Sequence, residues 1–290
     1  MTLITTFSPN WVAAIVIVLA SAAYVSGIVL AGRAGHSWPV LPTLGFFLLG
    51  LGSYAVVEFG FLGSYSVDLR WAFSTRIALL LFAVPGLLTT GRPIALARLA
   101  LSGLPAARLE RVLDSRLIRL VGNAVFAPLF ALAAFSIFLT PLAGVLRQSP
   151  VAEGSVSVIV PLVGLLMVLP ITELTRQRTS FFIAAEFLLA FVELVVDAIP
   201  GIVLRLNDII LDKVPAAVGN LPAWFPSVLH DQHLSGDYLW FIAELADIPI
   251  LILLFVRWSR VDRKESKAVD ELTDEEMDAL TAEHLRINRR

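Results

Sequence analysis

The sequence predicts an all-α integral membrane protein: a bundle of about seven transmembrane helices with its N-terminus outside and its C-terminus cytoplasmic. Three observations predict it. Of 290 residues, 57% are hydrophobic and only 16% are charged, whereas a soluble domain usually carries about 25% charged residues. Seven apolar runs, near 11–31, 40–60, 72–91, 120–146, 155–172, 181–204 and 238–257, approach the roughly 20 residues needed to cross a hydrocarbon core. The basic residues fall mainly on alternate sides of those runs.

The first run begins at Trp11, and no Lys or Arg precedes Arg33. It therefore lacks the basic leader of a cleaved signal peptide and reads as a retained helix. With seven spans, fourteen basic residues fall on the inner side: Arg33; Arg92, Arg98, Arg108, Arg111, Arg116 and Arg119; Arg176 and Arg178; Arg257, Arg260, Arg263, Lys264 and Lys267. Only Arg70, Arg147, Arg205 and Lys213 fall outside. That bias sets the orientation, since cytoplasmic loops hold the excess of Lys and Arg. The orientation depends on counting the modest run 155–172 as a span.

Between the third and fourth runs, arginines alternate with Leu and Ala over 92–119, a pattern that suits a surface-lying amphipathic helix. The outer segment 205–236 holds Pro215, Pro222 and Pro226 and should be irregular or only partly helical. Residues 1–258 thus form a transmembrane domain, and 259–290 form a cytoplasmic charged tail. In the tail, Thr273 followed by Glu276 fits a capping box opening a short helix to about Leu285.

Several chemistries are excluded. With no cysteine, disulfides and thiolate sites are absent. The chain has no basic stripe interleaved with aromatics for nucleic acid, and no catalytic or nucleotide-binding signature of a soluble enzyme. A non-enzymatic membrane protein is expected.

The residues that need explaining are charged and lie within or near the ends of apolar runs: Glu58, Arg76, Glu186, Glu193, Asp197, Glu244 and Asp247. A charge at a helix centre costs roughly 2.5–3.5 kcal/mol on insertion scales, so such groups imply pairing, protonation or a wet cavity. Glu186, Glu193 and Asp197 share one face of the sixth helix by their spacing, and Glu244 and Asp247 share a face of the seventh. Arg76 is the natural counter-ion, yet one arginine cannot neutralise all of them. Some of these acids are expected to be protonated, because burial disfavours the charged form. Two readings stand: an ion pair that fixes helix register, or a functional wet or metal-binding cavity.

Histidines number four: His36, His230, His233 and His284. His230 and His233 form an H-x-x-H pair before the last run, with Asp231 and Asp237 nearby. Imidazole with carboxylate suits copper or zinc, so His230, His233 and Asp197 are the candidate metal ligands. Met167 stands alone in a span and reads as packing.

Motifs along the chain resemble one family. Asp231-Gln232-His233-Leu234-Ser235-Gly236, then Leu239-Trp240 and Glu244, then Val256-Arg257-Trp258 and Asp262-Arg263-Lys264-Glu265 resemble the CtaG-like bacterial cytochrome c oxidase assembly factors. Gly60 to Tyr65, Gly91-Arg92-Pro93, Phe138-Leu139-Thr140-Pro141-Leu142 and Gly201-Ile202-Val203-Leu204 are similar to further family elements in the same order, over about residues 40 to 270. The resemblance implies a factor supporting oxidase assembly in the bacterial plasma membrane, with an oxidase or other respiratory-complex subunit as partner and copper as the metal. Yet the positions of the family's histidines, its natural copper ligands, read Phe73, Ile77, Ser157, Ile159 and Asp197 here, with another near Asn123. The chain looks like a divergent member that has lost copper chemistry or rebuilt its site from carboxylates. Two alternatives remain open: a proton-coupled or ion transporter using the acid cluster, and a scaffold or accessory subunit of a respiratory complex.

Overall fold

The structure is a computed structural model that describes residues 7, 9–121, 126–172, 180–215 and 223–270. All regular structure among the described residues is helical. The long apolar helices are α1 (Trp11–Arg33), α2 (Val40–Tyr65), α3 (Arg70–Thr89), α9 (Pro150–Thr172), α10 (Ser180–Leu206) and α11 (Val228–Asp270). Between α3 and α9 lie α4 (Pro93–Ala100), α5 (Gly103–Leu113), α6 (Arg116–Val121), α7 (Phe126–Ser136) and α8 (Pro141–Gln148).

Six of these helices are long and apolar enough to cross a membrane, and a seventh crossing is formed if α7 and α8 count as one broken span. The break differs from the uninterrupted run expected over 120–146. The helix turns by 83° between Leu139 and Pro141. Proline disfavours helical backbone in the residue before it, and Thr140 is accordingly extended, with its hydroxyl accepting the Leu142 N–H at 3.3 Å.

The segment 205–236 before the last span, expected to be irregular or only partly helical, is helical only in part among its described residues. The α11 helix begins at Val228 and runs for 43 residues, about 65 Å at 1.5 Å per residue, well beyond one hydrocarbon core. It continues past Trp258 to Asp270, and the short tail helix expected from Thr273 lies outside the described residues. Arg176 and Arg178 lie outside them as well.

The third span is the centre of the bundle. Two thirds of its apolar window is buried, against 11% for α1. On one side Tyr24, Phe46, Tyr54, Val57, Leu80 and Val84 join α1, α2 and α3. On the other, Phe73, Leu81, Phe135, Met167, Leu204 and Leu239 join α3 to α7, α9, α10 and α11. Met167 is therefore core, as its isolation suggested. The antiparallel pair α10–α11 packs closely, with Phe187 beside Phe255 and Gly201 beside Gly236. A Cβ built on Gly236 would stand 2.4 Å from the Gly201 carbonyl oxygen, so only glycine allows this approach.

On the surface, Arg98 and Glu110 form an exposed ion pair between α4 and α5 at 2.8 Å. The hydrogen bond from Arg98 holds the Glu110 carboxyl below the usual glutamate range.

Candidate functional site

The buried polar groups form three sets. The first surrounds Arg76 on α3, which is 1% exposed, and Glu58 on α2, which is fully buried. The Arg76 guanidinium reaches Glu58 Oε2 at 2.7 Å, Ser157 Oγ at 3.0 Å, Ser66 Oγ at 3.1 Å and Glu153 Oε1 at 3.5 Å. Asn10 caps α1 by accepting the Ala13 N–H at 3.1 Å, while its amide donates to Glu58 Oε2 at 2.8 Å. Ser157 donates to the same oxygen at 3.0 Å, and the Tyr54 hydroxyl donates to the Ser157 carbonyl at 2.8 Å. One carboxylate oxygen thus gathers α1, α2, α3 and α9. A buried pair lacking such hydrogen bonds would not offset its desolvation.

The second set closes the end of the bundle where α3 and α11 begin. Leu69 cannot cap α3 with its side chain. Asp231, 161 residues away, caps it instead: Oδ2 accepts the Arg70 N–H at 2.9 Å and Oδ1 the Trp71 N–H at 3.1 Å. A carboxylate at a helix N-terminus also complements its dipole. The Arg70 guanidinium then reaches Asp231 at 3.4 Å, Asp212 at 2.8 Å and the Val214 carbonyl at 2.5 Å. Arg147, from the last turn of α8, reaches Asp212 Oδ2 at 3.1 Å and the Val67 carbonyl at 2.6 Å. Gln232 clamps the chain after α10, accepting the Leu211 N–H at 2.9 Å and donating to the Ile209 carbonyl at 2.9 Å. Ser235 donates to Ser74 Oγ at 2.7 Å. Hence Asp231, Gln232, Ser235 and Gly236 each fasten a different partner. Sequence reasoning missed Arg70, Arg147 and Asp212, because residues at span ends read as solvated; Asp231-Gln232 was the only signal pointing here.

The third set lies between α10 and α11. Asp197 and Asp247 are buried within electrostatic reach of each other. Among the described residues, neither oxygen of Asp197, nor Oδ2 of Asp247, has a hydrogen-bond partner. Glu244 is half-buried and accepts the Trp240 indole N–H. The side chains of Glu186 and Glu193 lie outside the described residues. Among the described side chains, Arg76 therefore serves Glu58 and Glu153 rather than Asp197, Glu244 or Asp247.

The structure does not bring the candidate metal ligands together. His230 is exposed, and its backbone N–H bonds Ser227 Oγ at 3.3 Å. His233 Nε2 lies 3.3 Å from the Asn207 carbonyl. Asp197 precedes Asn207 by ten residues, roughly 15 Å of helical rise. Among the described residues, no group of three or more His, Asp or Glu could hold a metal ion. Nor do the positions of the missing family histidines fit copper. Phe73 packs against Phe138 at 5.9 Å between ring centroids and lines a cavity of about 20 Å³ together with Arg70, Arg147 and Asp212, where the two guanidinium groups already engage the one carboxylate. Ile77 packs on the core, Ser157 belongs to the Arg76 set and Ile159 is exposed. Asn123 lies outside the described residues.

Fold and sites together define a polytopic all-α membrane protein whose helices are fastened by buried ion-pair networks. Comparison with known proteins places it more narrowly. The model of the cytochrome c oxidase caa3 assembly factor family matches residues 22–261, and the chain belongs to that family. It is also similar to uncharacterized proteins of Mycobacterium bovis and Mycobacterium tuberculosis, each 25% identical over 272 residues, covering 89% of this chain and 41% of the relative. An uncharacterized protein of Mycobacterium leprae matches at the same identity and coverage. The chain thus spans about two fifths of the length of these curated relatives. No solved structure matches it.

Proposed function

We propose that this chain assists assembly of a terminal cytochrome c oxidase by holding an oxidase subunit within the bacterial plasma membrane, with its N-terminus outside and its C-terminus cytoplasmic. The observation that carries the reading is family membership, joined to the role of Asp231-Gln232-x-x-Ser235-Gly236 in this fold. That stretch binds the start of α3, the chain after α10 and the backbone of α10 itself. It supports a rigid body built to present helix faces to another membrane protein. Large apolar side chains on α1, α10 and α11, among them Ile15, Val18, Phe191, Val195, Phe241 and Leu245, face outward from it. Between helices in lipid, packing rather than hydrophobic burial drives association, so a rigid complementary face is what a membrane partner requires.

The role is non-catalytic, and it does not rest on copper held by this chain, because the donor set among the described residues does not fit. The basic excess beside one end of the spans supports the orientation.

The test is a deletion strain. Assembled oxidase, followed by its haem spectrum and by native gel, should fall to a small fraction of the parent level and return on complementation. Copper supplements should not substitute for the protein. Undiminished assembled oxidase in the deletion strain would end this reading.

A further inference from the structure

The pair Asp197–Asp247 belongs to neither ion-pair network. Asp197 is 1% exposed and Asp247 6%, and three of their four carboxyl oxygens have no partner among the described residues. On α11, Glu244 stands one turn before Asp247 and interacts with it, adding a further acid. On α10, Glu193 stands one turn before Asp197, its side chain outside the described residues, and Arg205 binds Asp237 at 3.1 Å two turns beyond. Neither α7 nor the Leu79–Ala83 stretch of α3, which pack on these helices, carries a charged residue. Earlier in α3, Arg70 and Arg76 are engaged with Asp212, Asp231, Glu58 and Glu153.

Two prolines add a second feature. Pro200 follows Asp197 by three residues inside α10, and Pro249 follows Asp247 by two inside α11. Proline has no N–H, so the carbonyls four residues earlier, Val196 and Leu245, lose their helical donor. Each helix thus carries, within a turn of its acid, a backbone acceptor that lacks its ordinary donor. A carboxyl that keeps its proton can donate to the opposing carboxylate. Two ionised carboxylates could not, and would repel in a low-dielectric interior where, among the described residues, no cation pairs with either of them.

We infer that Asp197 and Asp247 form an intramembrane proton-binding site, holding at least one proton between them, and that this proton permits the close packing of α10 on α11. The ligand is the proton itself. Its loss places like charges at the helix contact and loosens the hairpin.

Infrared spectroscopy of the full chain in lipid vesicles at neutral pH tests this. A carbonyl band of a protonated carboxyl should be present, should shift in heavy water and should vanish in the D197N/D247N double variant. No such band in the parent would overturn the assignment. A hydrophobic carbodiimide gives the second readout. The acid O–H adds across one C=N bond, and an O-to-N acyl shift yields a stable N-acylurea; nothing leaves, so the peptide gains the mass of one reagent. The adduct should map to Asp197 or Asp247, with sodium ions giving no protection. Adducts confined to Glu58 would overturn the site, and protection by sodium would show that the pair takes a metal cation instead of a proton.

Discussion

Asp231 does two things at once: its carboxylate caps α3 through two backbone N–H groups and neutralises Arg70. Replacing it with Ala strips a buried arginine of one partner and leaves the cap open, and breaking a buried pair from one side costs about 3–5 kcal/mol. Asp231→Asn keeps an acceptor for the cap and should cost clearly less. Unfolding in detergent followed by circular dichroism compares the two, and equal losses would show that the cap contributes little. The Glu58–Arg76 pair calls for a different design. E58Q and R76M should each destabilise the fold, since each orphans a buried partner. The E58Q/R76M double variant should lose less than the sum by about 1–3 kcal/mol, the coupling expected of groups in one network. A strictly additive cycle would show that the 2.7 Å contact does not couple them.

At the scale of helices, the α10–α11 crossing depends on absent side chains. Gly236→Ala forces a methyl group against the Gly201 carbonyl and the Arg205 amide, an overpacking that typically costs about 1–3 kcal/mol. The chain has no cysteine, so F187C/F255C offers a clean reporter across the same pair. Oxidative cross-linking of that reporter should drop when G236A is added. Unchanged cross-linking would mean the helices accommodate the methyl group by a local shift. The same scale explains where sequence reading succeeded and stopped. Runs of apolar residues identify helices because the bilayer demands them. The 83° break at Thr140–Pro141 sat inside one such run, where hydropathy does not distinguish a straight span from a bent pair. Likewise α11 starts ten residues before its apolar run, because Asp231, Gln232 and Ser235 find buried partners that hydropathy does not register.

For the whole molecule, the basic residues predict which face meets the cytoplasm. Single cysteines replacing Ser102 and Asp208, on opposite sides of the expected membrane, should react with impermeant maleimide in opposite manner: Asp208→Cys in intact cells and Ser102→Cys only after lysis. The reverse pattern would invert the topology. The sequence by itself determined the all-helical membrane character, the approximate number of spans and the motif order that marks the family, because each is written in local composition or in short contiguous stretches. Only the tertiary structure decided which charges meet. Glu58 and Arg76 lie 18 residues apart, Arg70 and Asp231 161 apart, and ion pairing depends on ångström distances that periodicity along one helix does not set. It also separated Asp197 from the histidines and brought it within electrostatic reach of Asp247, because the register of two antiparallel helices is fixed by their packing at Gly201 and Gly236 rather than by either sequence alone.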